Sequence, residues 1–201
     1  DNANGIVKTS WMKRVNTSVN VAPSFLDKHL NFNATAKFMY EKNSYADASG
    51  AVGAALSMDP TEPVYGQGDD YKYFGGYFQH FGSLDDAMTK AGWAKTINKN
   101  APQNPLALLE QKSCIAKAMD FSGNFEVDYK VHGFEDLHLH ASIGTQYTDT
   151  KQYDESSPYS YGNNYYGWNG VTKYWKYNVV GNAYAQYAHK FGVHDIDIMG
   201  G

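Results

Sequence analysis

The chain has 201 residues, with 17 Lys+Arg against 21 Asp+Glu and a net charge of -4. No basic run is present, which argues against nucleic-acid partners and against attraction to an anionic membrane surface. The mean hydropathy of -0.57 and the lack of about 20 consecutive apolar residues exclude a transmembrane helix. They do not exclude a transmembrane barrel, where only alternate strand residues meet lipid.

Aromatic residues make up 15% of the chain, with 17 Tyr. Tyr suits places where one end of a side chain is dry and the other wet, such as carbohydrate sites, membrane interfaces and protein surfaces. Cys114 is the single cysteine, so no disulfide forms within the chain. The sequence opens at Asp1 with no signal-peptide pattern and closes at Gly201 inside a strand-like run. Both ends are expected to be cuts in a longer sequence.

Period-two alternation dominates from the start. A first strand is expected over about 6–23, with Arg14, Asn16, Ser18 and Asn20 opposite Val15, Thr17, Val19 and Val21. A second, about 30–43, sets Leu30, Phe32, Ala34, Ala36, Phe38 and Tyr40 against Asn31, Asn33, Thr35 and Lys37. A long loop of about 44–114 follows and carries three helix signals. These are the small-residue run Ala48–Met58, a start at Ser83 with Gly92 as stop, and Asn104-Pro105 opening Leu106–Gln111. Loops of this length are usually functional.

The third strand, about 115–132, sets Met119, Phe121, Phe125, Val127 and Tyr129 against Asp120, Asn124, Glu126, Asp128 and Lys130. The fourth, about 137–149, sets Leu137, Leu139, Ala141, Ile143 and Tyr147 against His138, His140, Ser142, Gln146 and Thr148. A second long loop of about 150–171 precedes a fifth strand, about 172–191, and a sixth, about 195–201.

Connections therefore alternate short and long, as in outer-membrane barrels. Ten residue steps separate Leu137 from Tyr147. At roughly 3.3 Å per residue and a 45° tilt, they cover about 23 Å, close to the apolar band of such a barrel. Tyr40, Phe121, Tyr147 and Tyr177 fall where an aromatic girdle belongs on the long-loop side. Tyr129, Phe134, Tyr187 and Phe191 fall where the other girdle belongs. The expected fold is all-β with short loop helices: an incomplete, antiparallel, up-and-down transmembrane β-barrel segment of about six strands, forming an open curved sheet.

Catalytic, cofactor and metal sites are not expected. His138 and His140 share the polar face, but pairing about the turn Gly133–Asp136 puts His140 opposite Asp128 and His138 opposite Lys130, an unsuitable neighbour for a cation. Glu126 and Asp128 are same-strand neighbours on a polar wall rather than an acid–base pair. Asp69-Asp70 lacks further spaced calcium ligands. Recognition is the better reading. Tyr159, Tyr161, Tyr165, Tyr166 and Trp168, interleaved with Asn163 and Asn164, offer apolar platforms and hydrogen-bonding amides for a sugar. The same rings could equally pack loop on loop or against a protein lid. Tyr71, Tyr73, Phe74 and Tyr77 beside Gly75-Gly76 form a second, weaker platform.

Several segments resemble the SusC/RagA family of transporters in combination and in order. They are Arg14–Val21 with Pro23–Asp27, Ala36–Tyr40 leading to Tyr45–Asp47, Gly53–Tyr65, Asn104–Gln111 and Ser157–Tyr166. The resemblance implies part of a 22-stranded barrel in the Gram-negative outer membrane of a Bacteroidota bacterium. It also implies oligosaccharide or peptide substrates, a SusD-like surface lipoprotein as lid, outer-membrane lipid around the wall, and the TonB complex acting through an N-terminal region not in this chain. Two other readings fit the residues: a smaller outer-membrane barrel or surface protein binding glycans or host surfaces, and a soluble β-sandwich carbohydrate-binding module. The sandwich requires Phe32, Phe125, Leu139 and Val179 to be sealed between two sheets.

Overall fold

The computed structural model describes residues 1–92, 94–160 and 166–201. Its strands are β1 (Asn2–Asn4), β2 (Trp11–Val21), β3 (Ser24–Phe25), β4 (Leu30–Tyr45), β5 (Phe81–Gly82), β6 (Thr96–Ile97), β7 (Lys112–Lys130), β8 (Leu137–Ser156), β9 (Trp168–Phe191) and β10 (His194–Gly200). Helices α1 (Ala48–Ser57), α2 (Asp86–Lys90) and α3 (Pro105–Glu110), with a 3-10 helix at Asp69–Phe74, all lie between β4 and β7. The main sheet has the order β1-β2-β4-β7-β8-β9-β10, with β3 paired to β4. Each long strand pairs with the next long strand in sequence, which is up-and-down topology, and no pairing joins β1 to β10 among the described residues. The all-β, open-sheet reading of the sequence is correct.

Strand extents differ from the sequence reading most at the first strand and at the second long loop. The first strand begins at Trp11, because Gly5–Ser10 forms a turn that folds β1 back onto Trp11–Lys13. Thr9 takes a positive φ of 73° there, and its hydroxyl donates to the Leu109 carbonyl at 3.4 Å. Strands β8 and β9 run on to Ser156 and back from Trp168, so the second long loop is shorter than about 150–171. Backbone pairing continues past the region where one face is apolar. Hydrophobic periodicity fades at that point and cannot mark the strand end.

The described residues divide into two compact units: Asp1–Lys13, Lys42–Lys117 and Lys151–Lys173 form one, and Arg14–Glu41, Ala118–Thr150 and Tyr174–Gly201 the other. The second unit is sheet and short turns, and its two faces differ chemically. One face carries large apolar side chains that remain exposed among the described residues. Phe125 is 44% exposed, Leu139 42%, Val179 49% and Ile143 53%. Phe32 stacks on Phe125 with ring centroids 5.9 Å apart, and Phe134 stacks on Tyr187 at 5.6 Å. These side chains are not sealed between two sheets, which removes the β-sandwich alternative.

The opposite face is laced by side-chain hydrogen bonds from strand to strand. Asn20 donates to Asn33 and Thr35, and Asn33 donates to Glu126, which also accepts from Asn124. Asp120 accepts from Gln146 and Thr148. Further along, Ser142 donates to Asn182 and Gln186 donates to Asp197. His140 meets Asp128 at 2.6 Å, the pairing that alternation about the Gly133–Asp136 turn predicts.

The first unit holds a small core built by the long loop. Phe74, Phe78, Met88, Ile97, Ala107 and Leu108 are buried. Tyr71 packs on Phe78 and Phe81 with centroids 5.7 and 5.2 Å apart. Buried Asn104 knits this core together. Its Oδ1 caps α3 by accepting from Leu106 and Ala107, and its Nδ2 donates to the Val64 carbonyl at 2.7 Å. Asp85, rather than Ser83, caps α2 by accepting from the Met88 amide. A residue two positions nearer the helix reaches the free amides that Ser83 cannot.

At the edge of this core, Glu110 receives both Lys8 and the Tyr77 hydroxyl. The hydrogen bond from Lys8, followed by that from Tyr77, holds the Glu110 carboxyl below its ordinary 4.5. Burial, then Glu110, pushes the Tyr77 phenol from 10.0 up to about 12. A depressed carboxyl stabilises the fold above its unfolded value, and that contribution disappears as pH falls through the folded value. A raised phenol does the reverse: its contribution is full below pH 10.0 and disappears as pH climbs through about 12. Glu110 and Tyr77 should therefore contribute a plateau in thermal stability from about pH 4.5 to 10, with losses on both sides. In Glu110→Gln the acid limb should flatten. An acid limb identical in both proteins would show that Glu110 is not its source.

Candidate functional site

Strand β9 begins at Trp168, directly after Gly167, and the two residues shape an aromatic site. Gly167 has φ of 70°, and a Cβ there would stand 2.8 Å from the Ser156 carbonyl oxygen. Only glycine combines that backbone with so close an approach. Trp168, the next residue, lays its indole over Gly170, where a Cβ would run into the ring. The indole is 54% exposed.

Trp168 walls two clefts. One, of about 230 Å³, is completed by Tyr45, Asp47, Leu108, Lys112, Asp154 and Glu155. The other contains Glu155, Pro158, Tyr166, Gly167 and Asn169. An aromatic plane beside carboxylates suits a polyhydroxylated ring, whose C–H face stacks while its hydroxyls donate to the acids. Gln152 donates to Asp154 at 2.9 and 3.0 Å, which fixes that carboxylate. The loop entering the second cleft is tied to the small core by backbone and side-chain bonds. Ser157 donates to the Gln111 carbonyl at 2.8 Å, and the Gln111 amide donates to the Phe74 carbonyl at 2.7 Å. Ser160 is buried and closes a turn onto Ser157.

Of the residues the sequence singles out, Tyr166 and Trp168 come together at one cleft. Tyr159 is held by its backbone against Ser157 and its ring is 44% exposed, outside both cleft linings. Tyr161, Asn163, Asn164 and Tyr165 lie outside the described residues. Asp154 and Glu155 escape sequence reasoning because they sit in the part of β8 read as loop.

The chain was compared with known proteins. No protein-family model matches it. Over 198 residues, 98% of its length, it is 52% identical to the TonB-dependent receptor SusC of Bacteroides thetaiotaomicron. The chain is SusC-like. It spans 20% of that receptor's length.

The weaker aromatic platform of the SusC-like chain is not one. Phe74 is 1% exposed, and Tyr71 packs against Phe74, Phe78 and Phe81. A loop this long needs a core of its own, and these rings are the largest apolar groups available to build it. The acidic residues that the sequence singles out in the SusC-like chain each have other partners. Glu126 is held by Asn33 and Asn124, Asp128 by His140, and Asp70 lies 3.4 Å from Lys95.

Proposed function

We propose that this SusC-like chain forms wall and outer loops of an outer-membrane TonB-dependent transporter that imports oligosaccharides. In this reading a SusD-like surface lipoprotein presents the substrate, and the TonB complex supplies energy through another part of the receptor. The chain's own part is recognition and containment, not bond-breaking chemistry. The 52% identity along 98% of the chain carries the proposal. An uncovered apolar face opposite a hydrogen-bonded polar face supports a wall between lipid and water. Trp168 beside Asp154 and Glu155 favours a sugar over a peptide as the group recognised.

A strain lacking the full gene, complemented with wild type or Trp168→Ala, tests this on a panel of polysaccharides and peptides. The deletion should abolish growth on one glycan class. Losing about 0.5–1.5 kcal/mol of aromatic stacking should weaken Trp168→Ala uptake about two- to tenfold at limiting sugar, with receptor levels unchanged. Normal growth of the deletion strain on every nutrient would remove the import reading. Normal uptake by Trp168→Ala would remove only the cleft.

A further inference from the structure

Two short turns of the second unit bring together three side chains that the import reading does not use. His29, His132 and Glu135 each offer one ligand atom, and these atoms lie within 4.8 Å of one another. Nothing in the sequence pairs them, since 106 positions separate His29 from Glu135.

The turn before β4 aims the first ligand. Leu26, Asp27 and Lys28 all have positive φ, at 53°, 51° and 70°. Such backbone costs roughly 1–2 kcal/mol per residue away from glycine, a cost that a solvent-facing histidine would not require. It turns the Leu26 carbonyl so that it accepts from the His29 amide at 2.9 Å and lies 2.8 Å from the ring Nδ1. With Nδ1 donating there, Nε2 carries the lone pair of the neutral ring. That atom stands 2.7 Å from Glu135 Oε1. Two lone pairs cannot face each other so closely without a positive species, a proton or a metal ion, between them.

An imidazole oriented by a backbone carbonyl is the usual setting of a metal-binding histidine. Lys130 binds the other Glu135 oxygen at 2.9 Å, leaving Oε1 to the cluster. The His132 ring meets that of His29 with centroids 4.9 Å apart. Two imidazoles and one carboxylate make the three-ligand donor set of a zinc site. Imidazole nitrogen favours zinc, cobalt or nickel over calcium or magnesium.

We propose that His29, His132 and Glu135 bind a divalent transition-metal ion, zinc by donor set, stapling the turn before β4 to the turn before β8. Binding replaces the proton between His29 and Glu135, and those two atoms move apart to about 3.5 Å, as tetrahedral bonds of 2.0–2.2 Å require. The Lys130 charge opposes the ion, so micromolar affinity is expected rather than the tighter binding of an all-anionic site.

The test is zinc titration of the intact receptor in detergent against a chromophoric chelator, with cobalt substitution read from its visible bands. Wild type and the control His194→Ala should share one site of micromolar affinity. His132→Ala keeps the His29–Glu135 contact but loses a ligand, so its zinc affinity should fall at least tenfold and the tetrahedral cobalt bands should vanish. Glu135→Gln should behave alike; if it does not fold, His132→Ala alone decides. Equal zinc affinity in wild type and His132→Ala, or no uptake by wild type, would overturn the proposal.

Discussion

Ile143→Arg should destabilise the receptor in lipid by about 2–4 kcal/mol, the penalty for a guanidinium near the middle of a barrel's apolar band. Ile143 is 53% exposed and sits near the middle of the apolar row Leu137–Tyr147. Three residues along, Gln146 lies on the other face and donates to Asp120 at 3.2 Å. There an Arg meets water and a carboxylate, so Gln146→Arg should change stability by less than about 1 kcal/mol. Urea unfolding of the receptor from lipid vesicles measures both. Equal tolerance of the two substitutions would mean that the uncovered face does not meet hydrocarbon.

Asn104→Ala should cost about 1.5–2.5 kcal/mol, confined to the small core of the long loop. It removes an N-cap, worth about 1 kcal/mol, and one of two hydrogen bonds to the Val64 carbonyl, worth about 0.5–1.5 kcal/mol, while the Phe78 amide stays bound to that carbonyl. The two contributions separate in Asn104→Asp, which keeps the acceptor for Leu106 and Ala107 but loses the donor to Val64. Hydrogen exchange at Leu106–Leu108 and protease cutting between β4 and β7 report the loss. Unchanged protection in Asn104→Ala would mean that the loop core does not depend on this residue.

Much of the sheet is legible in the sequence because one simple force writes it. Where one side of a strand must be apolar and the other polar, Leu137, Leu139 and Ile143 alternate with His138, Ser142 and Gln146, and the pairing of His140 with Asp128 follows from the turn between them. The rest depends on contacts that periodicity does not encode. The core role of Tyr71 and Phe74 looks like an exposed platform until residues as distant as Asn104 and Gln111 close over it. Gly5–Ser10 reads as strand because a turn fixed by Leu109 and Glu110 leaves no local signal. Glu155 becomes a cleft wall only because β8 continues past its last apolar residue. The meeting of His29 with His132 and Glu135 requires the order of strands in the sheet, which no local pattern specifies.

The hydrogen-bonded polar face has a consequence for a solute moving beside it. Asn20, Asn33, Asp120, Gln146, Thr148, Ser142, Asn182 and Gln186 already satisfy one another across neighbouring strands. A solute meeting this face would have to break protein–protein bonds to make its own, so the face grips it weakly.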